Sequence, residues 1–226
     1  MAVTVLKNSV HLNKASHLYF TPWVFDSTND IWKPGTTTYD IVEILADTIA
    51  IEQGDPTTET IDWEFGDTPL MSTSTKGERT VTAACIDISN DILHNVFGWS
   101  VDANDIMAYE SASAESYATY VVTFHSASAP MVVLPKVSLN SKLTIGTLKT
   151  STGQAELTGT AMSAYISYTD GASTPHNATG TTEIAVIKPE AGGTIDIFNA
   201  APASGQTAVT IGTIAVNAAS GEFYLT

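Results

Sequence analysis

Short apolar stretches, separated by residues that favour turns, follow one another along most of the chain. In residues 60–65 every second side chain is large and apolar, beginning with Ile61, and the side chains between them are acidic. This period of two predicts a β-strand with one packed side and one solvent-facing side. Further strand patterns cover residues 40–53, 79–87, 119–125, 131–134, 143–148, 155–161, 183–188, 194–198, 208–216 and 222–225. The chain is therefore predicted to be all-β.

One segment departs from the period of two and predicts a helix over residues 89–97. Apolar residues between Ile88 and Phe97 recur at helical spacing, and Gly98 follows them. Ser89 can cap the free N–H groups of the first turn, where the Asp91 carboxylate also interacts favourably with the helix dipole. Together with the many strands, this helix predicts a β-sandwich or β-barrel with one flanking α-helix.

Other segments carry more specific predictions about organisation. Residues 40–53 predict a mostly buried strand pair or one long bent strand, and residues 168–182 predict a domain boundary or a long exposed loop. Across Gly212 the apolar positions change phase, which predicts a bulge or kink at that glycine. We predict that the chain divides into a β core, residues 1–165, and C-terminal strands, residues 166–226. These strands either complete the core or form a small decoration on its outside.

Composition and charge narrow the range of partners. The chain has 226 residues, of which 43% are hydrophobic and only 15% are charged, so a substantial core can form. Its formal net charge of −15 disfavours binding to nucleic acid or to an anionic membrane surface. No stretch approaches the roughly 18 apolar residues of a membrane span, and no secretory signal pattern is present. We therefore expect the chain to stay in the cytoplasm until it assembles.

The residue patterns that catalysis or metal binding requires are missing from the sequence. No two histidines have the spacing of a zinc site. The histidines are His11, His17, His94, His125 and His176. Asp62 and Glu64 share a strand face as glycosidase carboxylates do, but any solvent-facing strand shows this pattern. Glycine-rich phosphate loops and serine elbows are absent as well. The sequence thus predicts a protein that is not an enzyme, with no catalytic residue, no metal site and no cofactor.

The remaining candidate features have ordinary structural interpretations. Residues Asp26–Asp30 lack the acidic spacing of a calcium loop, and an Asx turn is the favoured interpretation. Cys85 lies in an apolar run and is predicted to be a buried, unreactive thiol. The tryptophans have apolar neighbours, which favours packing in a core or interface over a sugar-binding platform. They are Trp23, Trp32, Trp63 and Trp99.

The segment Tyr39–Trp99 resembles phage tail tube proteins, a family that also includes the ring proteins of type VI secretion. The similar features are the apolar strand at residues 41–52, the alternating acidic strand at residues 60–65, and a strand at residues 81–87 that leads directly into the predicted helix. The resemblance extends over about the first 165 residues. It implies a β-barrel or sandwich with a flanking helix, six copies in a ring, and stacked rings whose channel conducts DNA into the host.

The resemblance also implies partners and a location. The partners are further copies of the chain, together with tape-measure, tail terminator and tail-tip proteins, and there is no membrane partner. DNA would pass through the channel without specific binding, and the protein would reside in the virion tail after assembly in the host cytoplasm. The candidate arms for contact with a neighbouring ring are Trp23–Thr38, Pro56–Thr60 and Pro69–Glu78.

Two other classes of function stay open at this point. One is a different virion structural protein, such as a capsid decoration protein, which would form trimers, or a tail terminator. The other is a glycan-binding, immunoglobulin-like module, which would need exposed aromatic side chains.

Overall fold

The strands that the structure describes form four antiparallel sheets, two large and two of only two strands each, one of which pairs β8 (Ser100–Val101) with β9 (Met107–Ala108). The computed structural model describes residues 15–41, 44–45, 48–62, 69–86, 94, 100–101, 107–108, 116–125, 129–140, 142–144, 154–177, 180–199 and 208–226. The prediction of an all-β chain is confirmed over these residues. The predicted helix at residues 89–97 lies outside them, apart from His94, and stays a prediction.

The first sheet contains ten strands, seven of which follow the path β2-β1-β10-β11-β13-β7-β4. Strand β3 pairs with β1, β12 pairs with β13, and β16 pairs with β11. The strands are β1 (Ala15–Asp26), β2 (Ile31–Pro34), β3 (Tyr39–Ile41), β4 (Ala50–Gln53), β7 (Arg79–Cys85), β10 (Tyr117–Phe124), β11 (Met131–Leu139), β12 (Lys142–Thr144), β13 (Gln154–Met162) and β16 (Ala185–Ile187).

Both faces of this sheet are covered at its centre, and the side chains from Ala118 to Thr123 in β10 are all buried. On one face lies the first core, in which Leu18, Tyr120 and Leu134 are among the most completely buried side chains. Because successive residues of a strand point to opposite faces, their neighbours in the same strands face the other way. Those neighbours contribute to a second core.

The second sheet has the order β15-β14-β17-β18-β19 and packs on that other face. Its strands are β14 (Tyr165–Thr169), β15 (Pro175–Asn177), β17 (Thr194–Phe198), β18 (Val209–Val216) and β19 (Phe223–Leu225). Tyr19 and Val133 of the first sheet share the second core with Ile195, Ile197 and Ile214 of the second. This core therefore contains residues from both sides of the division at residue 165, and the division itself stays a prediction.

Residues 40–53 form neither a strand pair nor one long strand. Strand β3 ends at Ile41 and pairs with β1, whereas β4 pairs with β7. Between the two strands, Ile44 makes a single bridge with Cys85. The prediction was wrong because the two apolar stretches of this segment pair with different strands, one with β1 and the other with β7.

Residues 168–182 contain a hairpin where a domain boundary or long loop was predicted. Strands β14 and β15 pair across a turn in which the Asp170 carboxylate accepts hydrogen bonds from the backbone N–H groups of Ala172 and Thr174. Ser173 has a φ of 64°, in the left-handed region. The polar residues that suggested a loop therefore build a tight Asx turn between two short strands.

Two irregularities change the register of the sheets. The pairs Ile195–Gly212 and Asp196–Thr210 leave one extra residue in β18, which confirms the predicted bulge at Gly212. Pro135 lies inside β11, beyond the predicted end of that strand at residue 134, where the pairing with β10 also shifts. A bulge tolerates a residue that has no N–H group, so β11 continues to Leu139.

Candidate assembly surfaces

A two-stranded hairpin, formed by β5 (Thr57–Asp62) and β6 (Pro69–Thr75), extends from the ends of β4 and β7. We call this hairpin the arm. At its base the N–H group of Gly54 donates to the Glu78 carbonyl oxygen at 2.8 Å. A Cβ atom on Gly77 would lie only 1.9 Å from the Gly54 carbonyl oxygen, so glycine permits the close approach of the two chains. Within the described residues, the strands of the arm pair only with each other.

The arm exposes two apolar side chains, of which Ile61 was predicted to lie on a packed strand face. Ile61 and Met71 are cross-strand partners and are each 58% exposed. The packing predicted for this side of the strand is therefore not seen at Ile61 within the single chain. Trp63, Glu64 and Phe65 lie outside the described residues. A two-stranded hairpin is only marginally stable alone in water and presents unpaired strand edges, so the arm is suited to contact another molecule.

A second exposed apolar surface lies at the hairpin between β1 and β2. The Phe25 and Trp32 rings are 5.5 Å apart between centroids, and Trp32 meets Tyr117 edge to face at 5.2 Å. The Lys136 Nζ atom lies 4.1 Å from the centroid of the Tyr117 ring. We call these four residues the aromatic patch. Phe25 is 49% exposed, while Trp32 and Tyr117 are half-buried.

The described tryptophans agree with the packing interpretation. Trp23 is buried in the second core, and its indole N–H donates to Thr119 Oγ1 at 3.0 Å. Trp32 is half-buried at the margin of that core. Trp63 and Trp99 lie outside the described residues. Sequence analysis did not identify the aromatic patch, because Trp32 and Tyr117 are brought together only by the pairing of β1 with both β2 and β10.

Strand directions place the arm and the aromatic patch at opposite ends of the first sheet. Four successive antiparallel pairings separate β1 from β7, so these two strands run parallel to each other. The β1–β2 hairpin follows the C-terminal end of β1, whereas the arm precedes the N-terminal end of β7. The two hairpins therefore extend from opposite ends of the strands. Across the sheet, β1 and β7 are separated by four interstrand spacings of about 4.8 Å each.

Asp26 forms the Asx turn that was predicted for residues 26–30. Its carboxylate accepts hydrogen bonds from the Thr28 N–H group at 3.0 Å and from the Asn29 side chain at 3.1 Å. The Lys33 ammonium group donates to the same carboxylate at 2.9 Å. These bonds, above all the one from Lys33, lower the pKa of Asp26 to about 2.

We expect Lys33→Met to raise the pKa of Asp26 toward its ordinary value. The pKa should stay below 3.8, because Thr28 and Asn29 still donate. With the folded pKa below the unfolded one, Asp26 stabilises the protein above about pH 4, and this contribution disappears as the pH falls through about 2. An NMR titration of the Asp26 carboxyl group checks the shift, and Lys188→Met is the control. An unchanged pKa in Lys33→Met would contradict the assigned role of the lysine.

Three of the described histidines pair separately with carboxylates. His17 Nδ1 lies 2.9 Å from Asp40, and His176 Nε2 lies 3.1 Å from Asp170. His125 hydrogen-bonds to Glu222 and lowers the pKa of that carboxyl group.

His94 is exposed, and His11 lies outside the described part of the chain. Within that part, no group of three or more His, Cys, Asp or Glu side chains could hold a metal ion. Asp62 is the last residue of β5, and its side chain is not described. Cys85 is fully buried in the first core, as predicted.

No protein-family model matches the chain, and no curated protein matches it. Among the described residues there is also no helix long and apolar enough to cross a membrane.

Proposed function

We propose that this chain is the structural subunit of a phage-type tail tube, in which hexameric rings stack around a channel that conducts DNA into the host. The observation that carries the proposal is the pair of exposed apolar hairpins at opposite ends of an all-β core. A surface at each end of one subunit suits repeated end-to-end contact between identical copies.

The open edges of the first sheet support the closure of a ring. Within the described residues, β4 at one end of the strand path pairs only with β7, and β2 at the other end pairs only with β1. Unpaired edges bind other strands and promote aggregation unless they are covered. Side-by-side contact in a closed ring covers such edges in every subunit and limits the assembly to a defined number of copies.

The charge of the chain suits a channel for DNA. Six copies at −15 each carry about −90 at neutral pH, and a wall of this sign repels phosphate groups. DNA would then pass through without binding. In this proposal, the complete subunit is a β-sandwich or barrel with a flanking helix at residues 89–97, and it meets tape-measure, tail terminator and tail-tip proteins in the virion tail.

Among the three candidate segments for contact between rings, the arm is the best supported. Segments Pro56–Thr60 and Pro69–Glu78 overlap its two strands, β5 and β6. The third candidate, Trp23–Thr38, is held in its own subunit, where Trp23 is buried and the Thr38 hydroxyl donates to the Ile211 carbonyl oxygen at 2.5 Å. The exposed residues of this segment are Val24, Phe25 and the turn residues 27–30 at the tip of its hairpin, together with Thr36 and Thr37.

Replacement of the arm tests this assignment. An Asn-Gly turn between Gly54 and Gly77 would close β4 onto β7 without the arm. We expect the shortened chain to remain folded and to form monomers or single rings but no tubes, as seen by circular dichroism and negative-stain electron microscopy. Tubes of normal length would rule out the arm as the contact between rings.

A further inference from the structure

We propose that the arm of one subunit docks on the aromatic patch of the next subunit in the stack. The inference rests on the proposed function and identifies the surface that receives the arm. Ile61 and Met71 form the apolar centre of the contact on one side, and Phe25, Trp32 and Tyr117 form it on the other.

The arm presents a compact face with both apolar and acidic groups. Ile61 pairs with Met71, and Glu59 pairs with Thr73 two residues further along the same face. All four side chains are exposed. This face is therefore apolar next to a single carboxylate, and its hairpin has no covering layer among the described residues.

The aromatic patch matches this face in chemistry. Its rings offer apolar surface, and a methionine sulfur interacts favourably with the edge of an aromatic ring. Lys136 supplies positive charge beside the rings, complementary to Glu59 of the arm. Clusters of aromatic side chains are also typical of the residues that dominate binding energy at protein interfaces.

The positions of the two surfaces require contact between different copies. The arm and the patch leave opposite strand ends of the first sheet, so contact between them joins the end of one subunit to the end of another. Such a heterologous contact leaves a free arm and a free patch after each addition, and the stack continues to grow. The same contact would therefore account for a tube of indefinite length, which other proteins would have to limit.

Cross-linking between two variants, each with one introduced surface cysteine, tests the docking. Ile61→Cys chains are mixed with Phe25→Cys chains and treated with a short bis-maleimide, while the native Cys85 is buried and protected. We expect a covalent dimer in the mixture at a yield at least tenfold above that of either variant alone. The matched control replaces Phe25→Cys with Val24→Cys. Val24 is 45% exposed and lies on the opposite face of the same hairpin.

The outcomes separate this inference from the proposed function. A dimer specific to the mixture of positions 25 and 61 supports the docking. No dimer, or equal yields with positions 24 and 25, overturns it. Electron micrographs of the same samples test the function independently. Tubes without the specific cross-link would support the proposed tube function and show that a different contact joins the subunits. Single dispersed subunits that also lack the cross-link would count against both the docking of the arm and the proposed tube function.

Discussion

The double substitution Ile61→Asp with Met71→Asp is expected to abolish tube formation and leave the subunit folded. Both side chains are largely exposed in the single chain, so the substitution removes little intramolecular packing. Each side chain is 58% exposed, so its burial in the stacked assembly would stabilise the contact by somewhat more than half of the about 1.5–3 kcal/mol that full burial gives. Loss of two such side chains would raise the concentration needed for assembly by about 100-fold.

Light scattering over a concentration series measures this threshold, and thermal unfolding followed by circular dichroism tests the fold. The matched control is Thr60→Asp with Ser72→Asp, which adds the same charges to the neighbouring cross-strand pair on the opposite face of the arm. We expect the control to assemble at nearly the normal concentration. Equal losses in the two variants would mean that added charge, and not the apolar face, prevents assembly.

Ile197→Ala is expected to lower the free energy of unfolding by about 2–5 kcal/mol, the usual range for such a cavity in a core. Ile197 is fully buried in the second core, which also contains Tyr19 and Val133 of the first sheet. Because the core is shared, we expect one cooperative transition in which both sheets unfold together.

Urea unfolding followed by tryptophan fluorescence and by circular dichroism measures this effect. Val216→Ala, at a position 38% exposed in β18, is the control and should change the free energy by less than about 1 kcal/mol. Two separate transitions in Ile197→Ala would instead indicate that the C-terminal strands form an independent domain. That result would favour the decoration alternative for residues 166–226.

Alternation of apolar and polar residues predicted most strands of the two large sheets because most of these strands pack one face in a core. Residues 194–198 illustrate this, since Ile195 and Ile197 are fully buried and the structure has the strand at the predicted bounds. The bulge at Gly212 was predictable for the same reason, as an extra residue in one strand shifts the apolar phase.

The same pattern could not show which molecule covers an apolar face. Ile61 belongs to a regular alternation, yet its side chain is exposed in the single chain. Apolar residues at every second position indicate a strand face that is buried from water, and another subunit can bury it as well as the same chain. The aromatic patch was also unpredictable, because Phe25, Trp32 and Tyr117 meet only through strand pairing between distant segments. Pairing of this kind depends on the whole sheet.

Local chemistry explains the remaining differences. The strand predicted at residues 131–134 stops before Pro135, which lacks an N–H group, but a bulge in the pairing of β11 accommodates the proline. The polar run around Asp170 was read as a loop because its residues favour turns, and they do form a turn, but one short enough to join two strands. In both cases the residue preference was correct, and the extent of the element depended on its neighbours.

Negative-stain electron microscopy of the purified chain at high concentration, together with its mass from light scattering, tests the central claim most directly. The account predicts hollow rings or tubes with a central channel wide enough for a DNA duplex, and a mass that corresponds to six copies or multiples of six. Compact trimers without a channel, or monomers that persist at every concentration, would contradict it, and trimers would favour a capsid decoration protein.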